Sequence, residues 1–358
     1  MNADTRVFIA MSGGVDSAVT AVKLIEKGYQ VTGIHMQTWK DPLAQADSSD
    51  TILDVNLAEK TANALGIPFI PLDLRDVFYK RVVKDFLRQY LGGLTPNPCL
   101  FCNPQVKWGI LQSYALEHGA DYFATGHYAR IERQDSGKVW LLRGKDRSKD
   151  QSYVLSMLSQ FQLSRSLLPL GEMTKAEVRT LAQNRNLPVA DRQDSQDLCF
   201  LGDGDYREFL QRYAPGSFEI GEIVDIHGNV LGTHEGLPFY TIGQRKGIRI
   251  AAAEPYYVID KDIQNNRLII GFAEQTGKNR LTALQPNWIC GHAPEVGCEY
   301  GVMIRYRAKQ VPAVLIAATD REFRLEFKHA ISGITPGQVA VLYQDEVCLG
   351  GGVIQSFA

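Results

Sequence analysis

Two thiols stand close together in T-P-N-P-C-L-F-C-N-P, residues 95–104, with Cys99 and Cys102 separated by Leu100 and Phe101. A C-x-x-C pair can be half a zinc site, a redox disulfide, a cluster ligand set or the setting of a nucleophile. Zinc fits poorly, because no second C-x-x-C and no histidine pair at finger spacing follows. A thioredoxin-like motif would open a helix straight after a strand, whereas proline-rich loop precedes this one. An iron–sulfur cluster, [4Fe-4S] with one iron left open, is satisfied on ligand count by Cys99, Cys102 and Cys199. For a nucleophile, Asn103 and Pro104 read as N-cap and first residue of a helix over 105–117. Cys102 would then lie at a helix N-terminus, where a thiol's pKa falls, and Lys107 would add to this by folding back. Cys199, in D-S-Q-D-L-C-F, reads on its own neighbourhood as a buried structural cysteine, and Cys290, Cys298 and Cys348 as ordinary thiols in strands.

The second chemical feature is S-G-G-V-D-S, Ser12–Ser17, between the apolar run R-V-F-I-A-M and a helical segment. Adjacent glycines let the backbone turn and approach a ligand, and the N–H groups of a following helix attract an anion. Ser12 and Ser17 add hydroxyls. Asp16 suits a phosphate site only by sharing a cation such as Mg2+ or by anchoring the loop. The pattern is neither G-x-x-x-x-G-K nor G-x-G-x-x-G. It resembles the pyrophosphate loop of ATP pyrophosphatases, which implies ATP as cosubstrate. Gly33 to Met36, ending the second strand, would then lie beside the adenine.

The elements that must position these groups follow from periodicity. Residues 6–11 and 29–36 predict parallel strands around a helix at 18–27 that ends at Gly28, a βαβ unit. Residues 37–50 read as a mobile loop, followed by a helix at 52–65, a strand at 69–72 and a helix at 77–90. A strand at 122–125, a turn at Gly126-His127-Tyr128 and a hairpin around Ser136-Gly137 come next, then a helix opened by the Thr174/Glu177 capping box. Beyond about residue 202, short alternating strands with glycine turns take over. The expectation is α/β: a parallel-sheet N-terminal domain (1–202), a small mostly-β connector (203–279) and a C-terminal β-barrel (280–358).

With 358 residues, 45% hydrophobic and 22% charged, the chain is long enough for two or three domains with full cores. Net charge is −2, so a nucleic-acid partner would need local basic patches. Such patches exist at Arg143, Lys145, Arg147 and Lys149, at Arg305, Arg307 and Lys309, and at Lys80, Arg81, Lys84 and Arg88. Any one of these is an ordinary solvated charge; together they fit a phosphate-tracking surface. No long apolar run occurs, so no membrane role, a cytoplasmic location and a monomer are expected, with no disulfide framework among six cysteines.

An ordered set of motifs resembles the tRNA-specific 2-thiouridylases over essentially the whole chain. Beyond S-G-G-V-D-S and T-P-N-P-C-L-F-C-N it includes A-T-G-H-Y (124–128), L-L-R-G-K-D-R-S-K-D-Q-S-Y (141–153) and D-S-Q-D-L-C-F (194–200). T-I-G-Q-R-K-G (241–247), R-Y-R (305–307), T-P-G-Q (335–338) and C-L-G-G-G (348–352) complete it. The resemblance implies that ATP adenylates the wobble uridine of tRNA and that a persulfide on Cys199 delivers sulfur to C2, giving 2-thiouridine, AMP and pyrophosphate. It makes Cys102 the nucleophile that frees the sulfur or closes a transient Cys102–Cys199 disulfide. It places Ala10, Met11, Ser12, Gly13, Gly14, Val15, Asp16, Ser17, Met36 and Gly126 at ATP with Mg2+. It places Asn97, Pro98 and Cys99 at the target base, and His127, Lys149, Asp150, Gln151, Arg305, Tyr306 and Gln338 along the tRNA. Implied partners are the lysine, glutamate and glutamine tRNAs and a cysteine desulfurase or sulfur-relay protein. Some relatives carry Asp at the position of Cys99, where it can assist proton transfer; Cys99 can do so only as thiol or thiolate. The competing readings are an amide-forming pyrophosphate-loop synthetase, a cluster-dependent tRNA thiolase and a non-catalytic RNA-binding protein.

Overall fold

A computed structural model of the chain describes residues 4–42, 49–193, 198–201 and 205–358. Part of the loop expected at 37–50, and the D-S-Q-D run before Cys199, lie outside the described residues. Strand β1 (Arg6–Ala10) leads through the glycine loop into helix α1 (Val15–Glu26), then β2 (Gln30–Gln37), α2 (Ser49–Ala64) and β3 (Phe69–Asp73). Gly28 follows α1 at φ +81°, as its place at the helix end requires. Val7, Ile9, Ile34 and Phe123 are fully buried, the mark of strands covered on both faces.

Later come β4 (Tyr122–Ala124), the hairpin β5 (Ala129–Arg133) and β6 (Val139–Arg143), and β7 (Ser166–Leu167). Five strands form a parallel sheet in the order β3-β2-β1-β4-β7. The chain winds outward one way from β1 and the other way from β4, so a crevice opens at the carboxyl edge between these two strands. Both the glycine loop and the Gly126 turn leave the sheet there.

The middle of the chain adds β8 (Gly221–Val224), β9 (Val230–His234), β10 (Tyr257–Asp262) and β11 (Arg267–Gly271), in the order β10-β11-β8-β9, together with a helix over Tyr206–Tyr213. The last strands are β12 (Lys278–Trp288), β13 (Glu299–Met303), β14 (Val311–Ala318), β15 (Glu322–Ile331), β16 (Val339–Gln344) and β17 (Val347–Phe357). They run β12-β15-β14-β13-β16-β17, and β12 pairs back to β17, which closes a barrel of antiparallel strands.

The three parts share cores. The hairpin β5–β6 leaves the N-terminal sheet and extends the barrel's sheet, with Leu142 opposite Val347 and Leu141 opposite Cys348. One core joins Trp108, Phe123, Leu141 and Tyr153 to Met303, Val341 and Tyr343 of the barrel. A second joins Phe78, Phe86, Cys102 and Phe200 to Ile223, Phe239, Val258 and Leu268 of the middle region. The thiol-bearing elements are therefore gripped from both sides.

Candidate active site

The helix that carries Cys99 and Cys102 does not begin where the sequence suggests. It starts at Pro98, capped by Asn97, whose side chain accepts the Cys99 N–H at 3.2 Å. Asn103 and Pro104 lie inside the helical run, and the Asn103 amide donates to the Val154 carbonyl at 2.8 Å in the interior. Proline within a helix removes an i→i−4 bond, and the chain responds by widening to a π-helix over Asn103–Leu111. The Gln112 N–H accordingly reaches back five residues to the Lys107 carbonyl. Lys107, within this wide winding, acts on the Cys102 thiol through its charge.

This corrects the expected environment of Cys102. It ends the first helical segment, Pro98–Cys102, and is 7% exposed in the core with Phe86 and Phe200. Burial pushes its thiol up to about 12, against a smaller opposing pull from Lys107. The residue near the helix N-terminus is instead Cys99. Cys99 and Cys199 both open to solvent, yet surrounding protein raises both thiols, Cys199 to about 11.

The three thiols influence one another through their charges. Cys102 responds to the charge of Cys199 and Cys99, Cys199 responds to Cys99, and Lys107 acts on all three. Lys107 also acts on His127, whose imidazole is held well below its usual pKa by burial first and by this cation second. His127 stays neutral, bonded through Nδ1 to the Thr125 hydroxyl at 2.8 Å and tilted against Trp108. Among the described residues no three His, Cys, Asp or Glu side chains converge to hold a metal. Cys99, Cys102 and Cys199 thus do not fit a cluster in this arrangement.

The glycine loop is built for an anion. Gly14 precedes α1 with no side chain capping the helix, so the first N–H groups remain for a ligand. The Ser17 hydroxyl donates to the Gly14 carbonyl at 2.9 Å and accepts the Ser12 N–H at 3.2 Å. Gly13 has φ +77°, and a Cβ there would come within 2.5 Å of the Asp54 carbonyl oxygen. A Cβ on Gly126 would lie 3.0 Å from the Asp16 carbonyl carbon, so the turn after β4 must be bare to pack on the loop. Of the two roles open to Asp16, the structure shows anchoring: its carboxylate accepts from Lys175 Nζ at 2.7 and 2.9 Å and from the Tyr128 hydroxyl at 2.7 Å. Ala10 ends β1 and the buried Met11 follows it, and the buried His35 donates from Nδ1 to the Met11 carbonyl at 2.7 Å. Met36 packs against both the core holding Trp108 and the core holding Cys102, linking the sheet edge to the thiols.

A charge relay joins the two halves of the site. Arg192 donates to the Gly13 carbonyl at 2.7 Å and pairs with Asp54, which pairs with Lys40 at 2.9 Å, and Lys40 acts on Cys199. Arg192, Asp54, Lys175 and Lys40 carry no sequence signal, because their partnerships are made by the fold, Arg192 with Asp54 across 138 residues and Lys175 with Asp16 across 159.

The residues expected along an RNA are distributed unevenly. Arg305, Arg307 and Lys309 are exposed and have no carboxylate partner among the described residues, and the Arg307 guanidinium covers the Tyr306 ring. Lys149 is half-buried. Asp150 turns inward, accepting from Arg143 Nε at 2.7 Å, from the Gly144 N–H at 3.0 Å and from Ser152. Gln151 accepts the Tyr128 N–H at 2.9 Å, which fixes the Gly126 turn. Gln338 donates to the Thr95 carbonyl at 2.7 Å, which ties the barrel to the loop before Asn97 and Pro98. These three side chains shape the site from within.

Family profiles described as "tRNA methyl transferase HUP domain", "tRNA methyl transferase PRC-barrel domain" and "Aminomethyltransferase beta-barrel domain" match residues 5–203, 207–272 and 278–354. The "tRNA-specific 2-thiouridylase MnmA 1" of Caldanaerobacter subterraneus subsp. tengcongensis is 44% identical over 99% of this chain and 99% of its own. The chain belongs to the tRNA-specific 2-thiouridylase family. The corresponding 2-thiouridylase of Carboxydothermus hydrogenoformans is also 44% identical, covering 98% of this chain and 97% of that one. Among solved structures, one titled "Crystal structure of a 4-thiouridine synthetase - RNA complex with bound ATP" aligns at TM-score 0.39 and 16% identity, over 60% of this chain and 51% of that chain. No helix among the described residues is long and apolar enough to cross a membrane.

Proposed function

We propose that the protein is an ATP-dependent sulfurtransferase that converts the wobble uridine of tRNA to 2-thiouridine. The observation that supports this reading is the chain of contacts from Gly13 of the glycine loop through Arg192 and Asp54 to Lys40, whose charge acts on the Cys199 thiol. A synthetase using ammonia, or a methyl transferase, has no use for such a pairing.

In the reaction, uridine O2 attacks the α-phosphate of ATP and pyrophosphate leaves; Mg2+ brought in with the nucleotide would supply neutralisation of the phosphate charge. Ala10, Met11, Ser12–Ser17, Met36 and Gly126 hold the nucleotide. The outer sulfur of a Cys199 persulfide then adds at C2, AMP departs with the electron pair of the C–O bond, and one proton is released. Cys102 attacks the inner sulfur of the Cys199–S–S–C2 link, breaking that S–S bond and forming Cys102–S–S–Cys199. The pair of electrons stays on the sulfur now bonded only to C2, which is the product. A dithiol reductant reopens the disulfide, and a cysteine desulfurase or relay protein reloads Cys199. Asn97, Pro98 and Cys99 face the base, while His127, Lys149, Arg305 and Tyr306 follow the tRNA. Substrates are the lysine, glutamate and glutamine tRNAs, and the enzyme works as a cytoplasmic monomer.

Incubating persulfide-loaded protein with unmodified tRNA and ATP tests this. Nucleoside mass spectrometry should find 2-thiouridine in equal amount to AMP. AMP without thiouridine would count against sulfur transfer.

A further inference from the structure

The Cys199 segment is held by a buried acid from another part of the chain. After β2 leaves the sheet, the chain runs through Trp39 and Lys40 to Asp41, whose side chain is 0% exposed. The Asp41 carboxylate accepts from Arg212 Nη2 at 2.6 Å, from Arg212 Nε at 3.1 Å and from the Tyr213 hydroxyl at 2.6 Å. Its backbone N–H donates to the carbonyl of Phe200, the neighbour of Cys199, at 3.2 Å. Arg212 and Tyr213 lie at the end of the Tyr206–Tyr213 helix and its aromatic cluster, where Trp39 meets Phe209 and Tyr213.

A carboxylate without exposed surface is costly unless fully paired, and this one receives three donor contacts. The expense is hard to explain by packing alone, since a hydrophobic side chain would fill the same space. What a buried ion pair supplies is a fixed geometry. Its other end is a single backbone bond to the residue after Cys199.

We propose that Asp41 is a positioning residue for the Cys199 persulfide, locking residues 198–201 to the strap that leaves the nucleotide strand β2 and to the helix ending in Arg212 and Tyr213. The proposal rests on the sulfur-transfer reading for its consequence, but the clamp is measurable without it. When a loaded persulfide must meet C2 of an adenylated base, a small misplacement costs rate steeply. Adenylation does not involve Cys199 and should not depend on the clamp.

The test uses the full chain with Asp41→Asn, Asp41→Glu and Tyr213→Phe. Peptide mapping after iodoacetamide treatment reads Cys199 alkylation against Cys290 as internal control. Asp41→Asn should speed Cys199 alkylation at least fivefold and leave Cys290 unchanged, with Tyr213→Phe giving a smaller change in the same direction. Single-turnover sulfur transfer should fall at least tenfold in Asp41→Asn, while tRNA Kd and the single-turnover rate of tRNA-dependent pyrophosphate release stay within twofold, and Asp41→Glu should recover part of the transfer rate. If Asp41→Asn does not fold, Tyr213→Phe alone decides through both readouts. Unchanged Cys199 alkylation, or transfer and adenylation falling together, would overturn the proposal. Wild-type protein that makes no thiouridine would defeat the functional reading, while the alkylation arm still decides the clamp.

Discussion

Asn97 accepts the N–H of Cys99, and that bond sets the start of the helix on which both thiols ride. Cap and thiol belong to the same loop that Gln338 ties to the barrel through the Thr95 carbonyl. Removing the cap with Asn97→Ala should cost about 1 kcal/mol of stability. Thermal unfolding checks this, and an unchanged midpoint would show that the cap is not what fixes the helix start.

Gly126 packs without a side chain against the first turn of α1. Gly126→Ala places a methyl 3.0 Å from the Asp16 carbonyl carbon and 3.1 Å from the Ser17 nitrogen, both backbone atoms that cannot swing aside. The loop must shift, so ATP affinity measured by calorimetry should fall at least tenfold while tRNA affinity is retained.

The thiols predict a pH response. Cys102 is pushed up to about 12 and Cys199 to about 11, from an ordinary value of 9.0. A group whose folded pKa is raised contributes stability that is full below its unfolded pKa and is lost as pH rises through the folded one. Stability should therefore decline from about pH 9 towards pH 12, and less so in Cys102→Ala. The same shift means that Cys102 in the free protein is a thiol at neutral pH. Its alkylation rate should keep rising through pH 10 with no plateau, whereas a plateau near pH 7 would show a low-pKa nucleophile before substrate binds.

The exposed cations Arg305, Arg307 and Lys309 predict that tRNA binding weakens steeply with salt. Arg305→Ala should lower affinity and flatten the slope of log K against log salt by about one unit. Filter binding across a salt series measures both.

How much of this was readable in the sequence varies with the range of the interaction. The glycine loop, the βαβ order and the Thr174/Glu177 capping box depend on neighbours a few residues apart, and each stands where the sequence puts it. The start of the cysteine helix is not legible in the sequence, because the chain offers two Asn-Pro pairs with the same capping signature. Asn97-Pro98 starts the helix, while Asn103-Pro104 is carried through it, because the Asn103 amide is spent on Val154 and the helix widens around Pro104. That choice is tertiary, and so are the pairing of Leu142 with Val347 and the Gly13–Arg192–Asp54–Lys40 relay. Asp150, Gln151 and Gln338 look like surface polar residues in sequence, and only the fold reveals that their side chains face inward.

The central claim is that sulfur reaches C2 of uridine from Cys199. Unmodified tRNA should be incubated with ATP and a persulfide source, using wild-type protein and Cys199→Ser in parallel, and 2-thiouridine quantified by nucleoside mass spectrometry. The account predicts thiouridine from the wild type and none from Cys199→Ser, with pyrophosphate released by both. Equal thiouridine from the two proteins would contradict it.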